Sequence, residues 1–206
     1  MTQGVLYVIS APSGAGKSSL INSLLKTKLY NTQISISYTT RTARPGEING
    51  KDYFFISKIK FLQMIKNHDF LEYAYVFGNY YGTSKIFIEN TIKNYIDIIL
   101  NIDWQGAKQI KTKIHETKSI FILPPSKNEL YRRLYNRGQD NNEVIKNRML
   151  YAISEIKHFN EYDYIIINDN FKTALKDLKS IINCDRLKLK RQTQKTKDLI
   201  TKLLAD

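Results

Sequence analysis

A chain of 206 residues, 42% hydrophobic and 25% charged, has the size and composition of one globular domain with a sizeable core and room for inserted subdomains. No apolar run approaches the ~20 residues of a membrane span, no leader pattern opens the chain, and the single Cys184 excludes a disulfide framework or zinc cluster, so the expected compartment is the cytoplasm, with no membrane partner. The net charge of +13 comes from scattered lysines without a nucleic-acid-binding signature, so no nucleic-acid partner is expected, and polyphosphate substrates account for part of it.

The first apolar run, Val5-Leu6-Tyr7-Val8-Ile9, reads as a buried strand. Ala11-Pro12-Ser13-Gly14-Ala15-Gly16-Lys17-Ser18 follows it and leads into the helical pattern Ser19-Leu20-Ile21-Asn22-Ser23-Leu24-Leu25. Strand, glycine-rich loop and helix in that order form a phosphate cradle. A helix start exposes unpaired N–H groups and a partial positive charge. The glycines let the main chain curl around phosphates, Lys17 reaches the β/γ oxygens, and the Ser18 hydroxyl faces Mg²⁺. Ala11 stands where the usual P-loop pattern begins with Gly; the core from Gly14 to Ser18 is intact.

Residues 34–84 have a different texture, rich in Tyr, Thr and Gly, with short strand-like pieces such as Tyr53-Phe54-Phe55-Ile56. Turn signals at Arg44-Pro45-Gly46, Asn49-Gly50 and Gly78-Asn79 suggest a small inserted β subdomain. Apolar runs at 98–102, 119–123 and 164–167 then alternate with helical patterns. Together with the first run they predict an α/β fold, a P-loop-type parallel sheet with helices on both faces. After Pro124-Pro125, Ser126 and Glu129 read as a capping box. The Arg-rich helix they start breaks at Gly138-Gln139-Asp140-Asn141-Asn142, and a second helix is expected over about 143–159. This pair reads as a mobile helical lid. The charged tail after Cys184 is expected to be helical, with Ile200, Leu203 and Leu204 as apolar anchors for docking on the body or on another subunit.

The separated segments Ser37-Tyr38-Thr39-Thr40-Arg41-Thr42-Ala43-Arg44-Pro45-Gly46-Glu47, Gly50-Lys51-Asp52-Tyr53, Phe70-Leu71-Glu72, Gly78-Asn79-Tyr80-Tyr81-Gly82-Thr83 and Asn101-Ile102-Asp103-Trp104-Gln105-Gly106 give the chain a resemblance to the guanylate kinases, especially the bacterial ones. The resemblance runs from Gly4 to about Ile182, and the tail is similar to that of the enterobacterial members. It implies a domain over 4–184: a core of 4–33, 95–125 and 160–184, a GMP-binding subdomain over 34–90, a lid over 126–159, and a tail over 185–206. It also implies phosphoryl transfer from ATP to GMP, and use of dGMP is carried with it. A homo-oligomer is left open.

The chemistry of these residues fits the implied substrate. Arg41 and Arg44 offer planar donor forks for a phosphate dianion, and Tyr53 and Tyr81 add hydroxyls. Guanine presents N1–H and a 2-amino group as donors, which Glu72 and Asp103 suit, and O6 as an acceptor, which Ser37 and Thr83 suit. Adenine presents an acceptor at N1 and would leave a carboxylate unpaired. Blander roles stay open: Asp103 also suits a helix cap, Glu72 a surface charge, and Tyr53 and Tyr81 the core. Trp104, Phe70 and the histidines His68, His115 and His158 read as packing or exposed groups.

By resemblance, Arg133, Arg137 and Arg148 are lid arginines that close over the transferring phosphoryl group, and Asn168 and Asp169 lie near the adenine of ATP. The family usually carries Asp where this chain has Asn101, which predicts weaker Mg²⁺ affinity. The attacking phosphate oxygen is already ionised, so no general base is expected. Two other readings are a non-catalytic scaffold module of the same fold and a P-loop kinase with another acceptor. GMP-dependent ADP formation separates the first from an enzyme, and an acceptor panel separates the second.

Overall fold

A computed structural model describes residues 4–27, 31–136 and 142–205; Arg137, assigned to the lid above, lies outside them. The core is a five-stranded parallel sheet in the order β2-β7-β1-β8-β9. Its strands are β1 (Leu6–Ser10), β2 (Thr32–Ser35), β7 (Asp97–Asn101), β8 (Lys118–Leu123) and β9 (Tyr164–Ile167). Each observed strand lies within a residue of its apolar run, except β2, which no run announces. Strand alternation divides the core into two layers. Tyr7, Ile9, Ile99, Ile120 and Ile122 face α1 (Lys17–Lys26) and α7 (Phe171–Arg186), where they meet Leu20, Ile21, Leu24, Ala174, Leu178 and Ile182. Leu6, Val8, Ile98 and Leu100 face the other way, onto Ile88 of α3 (Lys85–Lys93) and Ala107 and Ile110 of α4 (Trp104–Lys113).

The second sheet, in the order β4-β3-β6-β5, contains β3 (Tyr38–Thr39), β4 (Phe54–Phe55), β5 (Phe70–Val76) and β6 (Asn79–Ser84). Helix α2 (Lys58–Lys66) precedes β5 and buries Phe61, which stacks on Phe70 and Tyr80. The β5–β6 hairpin closes through Phe77 and Gly78, both at positive φ, between the paired residues Val76 and Asn79. That places the two-residue turn one position before the Gly78-Asn79 signal, because such a turn needs left-handed backbone at both central positions.

The helical pair consists of α5 (Lys127–Asn136) and α6 (Asn142–Ile156), packed through Leu130, Leu134, Ile145 and Ala152. The expected capping box forms only by half. The Glu129 N–H donates to Ser126 Oγ (3.0 Å), but the Glu129 carboxylate turns to Arg132 and Arg133 instead. Charge-assisted bonds to two guanidiniums are stronger than a return bond to one amide. The second helix stops at Ile156, earlier than expected, and a 3-10 turn covers Phe159–Glu161.

The tail forms α8 (Leu189–Lys195) and α9 (Lys197–Leu204). Its expected apolar anchors do not dock on the body: Ile200, Leu203 and Leu204 are exposed. The anchor is ionic. Arg191 bonds Asp97 Oδ1 and Asp185 Oδ2, each at 2.8 Å. Arg186 Nε donates to Asp97 Oδ2 (3.0 Å), the Val5 N–H to Asp97 Oδ1 (2.9 Å), and the Tyr7 hydroxyl to Asp185 Oδ2 (3.1 Å). Asp97 is fully buried, so this network supplies the compensation that a carboxylate taken out of water requires.

Candidate active site

The site lies at the C-terminal ends of the core strands, where ligands bind in open parallel sheets. β1 ends at Ser10, the loop of residues 11–16 curls, and α1 starts at Lys17. Gly14 (φ 93°) and Gly16 (φ 91°) take left-handed backbone that other residues rarely adopt. Both are also crowded. A Cβ on Gly14 would stand 3.0 Å from Leu130 and one on Gly16 2.3 Å from Asn168 Nδ2. Gly16 caps α1 without a side-chain bond, which leaves the first-turn amides to a ligand. Asn168, just after β9, donates through Nδ2 to Ala15 O (2.7 Å), so in this state its amide braces the loop. Asp169 beside it is exposed.

Lys17 Nζ donates to Ile102 O (3.1 Å) at the end of β7. Burial lowers its pKa, while the negative charges of Glu155 and Asp103 oppose that shift. Ser18 stands exposed in the first turn of α1, next to the loop.

The inserted sheet brings a cationic, aromatic group to the cleft. Glu47 accepts both of its oxygens' bonds from Arg41 Nη2 (2.8 Å each) and takes the Arg44 N–H (2.8 Å). The Arg41 guanidinium lies 5.5 Å from the Tyr53 ring and 5.7 Å from the Phe55 ring, and Tyr53 meets Tyr81 edge-on at 5.9 Å. Arg41, Arg44, Tyr53 and Tyr81 are thus gathered around one carboxylate, whose chemistry an anionic ligand shares. Ser37 is buried, and it lines a small cleft with Ser35, Tyr53 and Asn101.

The carboxylates are brought together between the two sheets. Glu72 is only 3% exposed, which rules out the surface-charge role, and it accepts from the Thr83 hydroxyl. Burial, with the like charge of Asp103, pushes its pKa up to about 7, against the opposing bond from Thr83 and the charge of Lys113. Of the roles open to it, Asp103 is seen in the helix-cap role. It caps α4, accepting the Gly106 N–H (2.9 Å), and it stays beside Glu72 and Lys17. Burial raises its pKa too, opposed by the Gly106 N–H and by Lys17. Trp104, the next residue, stacks flat on His158 at 3.6 Å and 6°, so both pack against each other.

Helices α5 and α6 flank the loop. Arg133 donates through Nε to Glu129 (2.7 Å) and through Nη2 to Asn168 O (3.0 Å). Arg148 is half-buried on α6. Tyr151 of α6 meets Phe77 of the β5–β6 hairpin edge-on at 4.5 Å. Two carboxylates had no assigned role in the sequence. Glu47 holds Arg41 and Arg44. Glu155, seven residues after Arg148 and so on the same helical face, is drawn to the Ser13 N–H and to Lys17. Burial and the charge of Asp103 move its pKa to about 7, against the effects of Lys17, Ser13 and His158. The Arg148–Glu155 spacing was the available signal, but a glutamate on an amphipathic helix ordinarily reads as solvated.

Among the described residues no group of three or more His, Cys, Asp or Glu side chains could hold a metal, and no helix is long and apolar enough to cross a membrane.

Comparison with known proteins agrees with this geometry. The family model described as "Guanylate kinase" matches residues 3–185. The guanylate kinases of Photorhabdus laumondii subsp. laumondii and Escherichia coli K12 are 59% and 58% identical to this chain, with all of both chains covered. The crystal structure of guanylate kinase from Anaplasma phagocytophilum superposes with a TM-score of 0.77 at 35% identity, covering 93% of this chain and 90% of that one. A P-loop beside the paired carboxylates Glu72 and Asp103, a family match over most of the sequence and end-to-end relatives at this identity lead to one conclusion: the chain belongs to the guanylate kinase family.

Proposed function

We propose that this protein transfers the γ-phosphoryl group of ATP to GMP, giving ADP and GDP. The observation that carries the reading is the pairing of the buried Glu72 with the half-buried Asp103, set beside the P-loop lysine. Two carboxylates answer the N1–H and 2-amino donors of guanine and leave adenine's N1 without a donor. The hydroxyls of Ser37 and Thr83 answer O6, Thr83 first turning away from Glu72. Arg41, Arg44, Tyr53 and Tyr81 take the acceptor phosphate in the place where Glu47 now collects their charge. dGMP fits the same contacts, since none of them is directed at the ribose.

At the donor end, the loop Ala11, Pro12, Ser13, Gly14, Ala15 and Gly16, through the N–H groups of its residues other than Pro12, and Lys17 hold the β- and γ-phosphates, and Asn168 and Asp169 border the adenine. The exposed Ser18 hydroxyl, a hard oxygen donor beside the loop, would help hold Mg²⁺ arriving on the nucleotide. When bound, Mg²⁺ neutralises charge on the β- and γ-phosphates. The transferring group demands alignment, exclusion of water and neutralisation of charge, not a base. Lid closure brings Arg133, Arg137 and Arg148 towards it, with Arg133 already tied to the Asn168 carbonyl beside the loop. The units follow as a core that holds ATP, an inserted sheet that holds GMP and a helical pair that closes.

The test is a coupled assay of ADP formation with GMP, dGMP, AMP and UMP as acceptors in the presence of magnesium. Turnover with GMP and dGMP and little with AMP or UMP is expected. Comparable turnover with AMP overturns the reading.

A further inference from the structure

The residue assigned to read guanine sits on a weakly determined part of the fold. β5 is the edge strand of its sheet, and its ladder with β6 slips between Phe70 and Glu72. Leu71 is the extra residue. Its side chain enters the core layer under α3 and α4, while Glu72 turns to Thr83 and Asp103. Such a bulge re-aims a side chain but leaves local main chain outside the ladder. Pairing with β6 alone therefore does not fix the Glu72 carboxylate.

One face of α4 supplies what the ladder lacks. Lys113 Nζ donates to Leu71 O. The Tyr73 N–H donates to Gln109 Oε1 (3.3 Å), and Gln109 Nε2 donates to Tyr73 O (2.7 Å), so a side-chain amide pairs with the open edge as a neighbouring strand's peptide would. The main chain is thus held on both sides of Glu72. Gly106 lies on the same face, and a Cβ there would stand 2.5 Å from Glu72 Oε2. The spacing of 106, 109 and 113 places all three on a single helical stripe, which begins one turn after Asp103.

We propose that Gln109 and Lys113 are positioning residues for guanine recognition: they clasp the bulged edge strand so that Glu72 sits in the notch at Gly106, beside Asp103. This rests on the reading of Glu72 as a guanine ligand. A shift of about 1 Å in such a group is enough to lose much of its effect.

The test measures KM and kcat for GMP, for IMP (which lacks the 2-amino group) and for ATP in Gln109→Ala, Gln109→Glu and Lys113→Met. Gln109→Ala should raise KM for GMP about tenfold and lower the GMP-over-IMP preference, with kcat and KM for ATP within about twofold of the parent. Gln109→Glu keeps the acceptor for the Tyr73 N–H and should fall between. Lys113→Met should raise KM for GMP about threefold. KM for GMP within about twofold of the parent in both Gln109→Ala and Lys113→Met, or an equal rise in KM for ATP, overturns the proposal. Should Gln109→Ala fail to fold, amide exchange in the unsubstituted protein decides: a protected Tyr73 N–H supports the clasp and a freely exchanging one refutes it. An unsubstituted protein inactive on GMP sinks the reading of the site, whereas GMP-selective parent and variants alike sink only the clasp.

Discussion

On the proposed function, the donor end of the cleft is built from main chain, and the acceptor end from side chains. Around the P-loop the ligand-facing groups are amides at a helix start, positioned by two left-handed glycines and braced by Asn168 and Leu130. Around Glu72 and Arg41 they are buried or half-buried carboxylates, guanidiniums and phenols held by one another. The first construction recognises any polyphosphate and costs little to keep ready. The second recognises one base edge, and it stores unfavourable burial of like charges until a ligand arrives. Substitutions at the donor end should therefore act on ATP binding or the chemical step, whereas those at the acceptor end should change which nucleotide is accepted.

The largest expected effect is at Lys17. Lys17→Met should lower kcat by about 10³-fold while KM for GMP moves little, as steady-state kinetics with both substrates varied would reveal. A dominant rise in KM for GMP instead would break the division between the two ends. Next is Glu72→Gln, which should cut kcat/KM for GMP by about 10²-fold and narrow the preference over AMP.

The pH dependence sharpens the comparison. The Glu72 carboxyl is pushed up to about 7 and must be ionised to accept guanine's donors. Raising the pH from 6 to 8 ionises it, so KM for GMP should fall about tenfold across that window, and the slope should flatten in Glu72→Gln. Stability runs the other way. A carboxyl that holds its proton more tightly when folded stabilises the unliganded protein most below the unfolded-chain value of 4.5, and that contribution is lost as pH rises through about 7. The smallest effect belongs to Glu155, which presents a negative charge to Lys17 and the Ser13 N–H. Removing that charge in Glu155→Gln should lower KM for ATP about threefold in an ATP titration, and an unchanged or weaker affinity would place the residue outside donor binding.

The same contrast governs what the sequence discloses. The P-loop is legible because main-chain recognition needs glycine at fixed positions, and β1, β7 and β8 are legible because burial on both faces requires continuous apolar runs, while β9, at the sheet edge, keeps an apolar run although only Ile166 is buried. β2 escapes notice since Thr32-Gln33-Ile34-Ser35 has just one buried residue, at the sheet edge. The acceptor residues can be named by their chemistry but not located. Nothing local reveals that Leu71 is bulged, that Gln109 and Lys113 reach a strand in the other sheet, or that Glu155 reaches the loop. Each depends on a partner distant in sequence. Ser126 and Glu129 show the converse: a sound local pattern yielded to two neighbouring arginines.

The ionic anchor of the tail bears on how the molecule comes into being. Asp97 leaves the ribosome 94 residues before Arg191, the cation that pairs it with Asp185 across the sheet's far end. Until that arginine emerges, a nascent chain carries an acidic group inside the sheet without its full complement of counter-charge. Completion of the core during translation is thereby coupled to the arrival of its last helices, and a chain cut short before α8 would keep its phosphate loop yet lack the charge that settles β1 and β7 side by side.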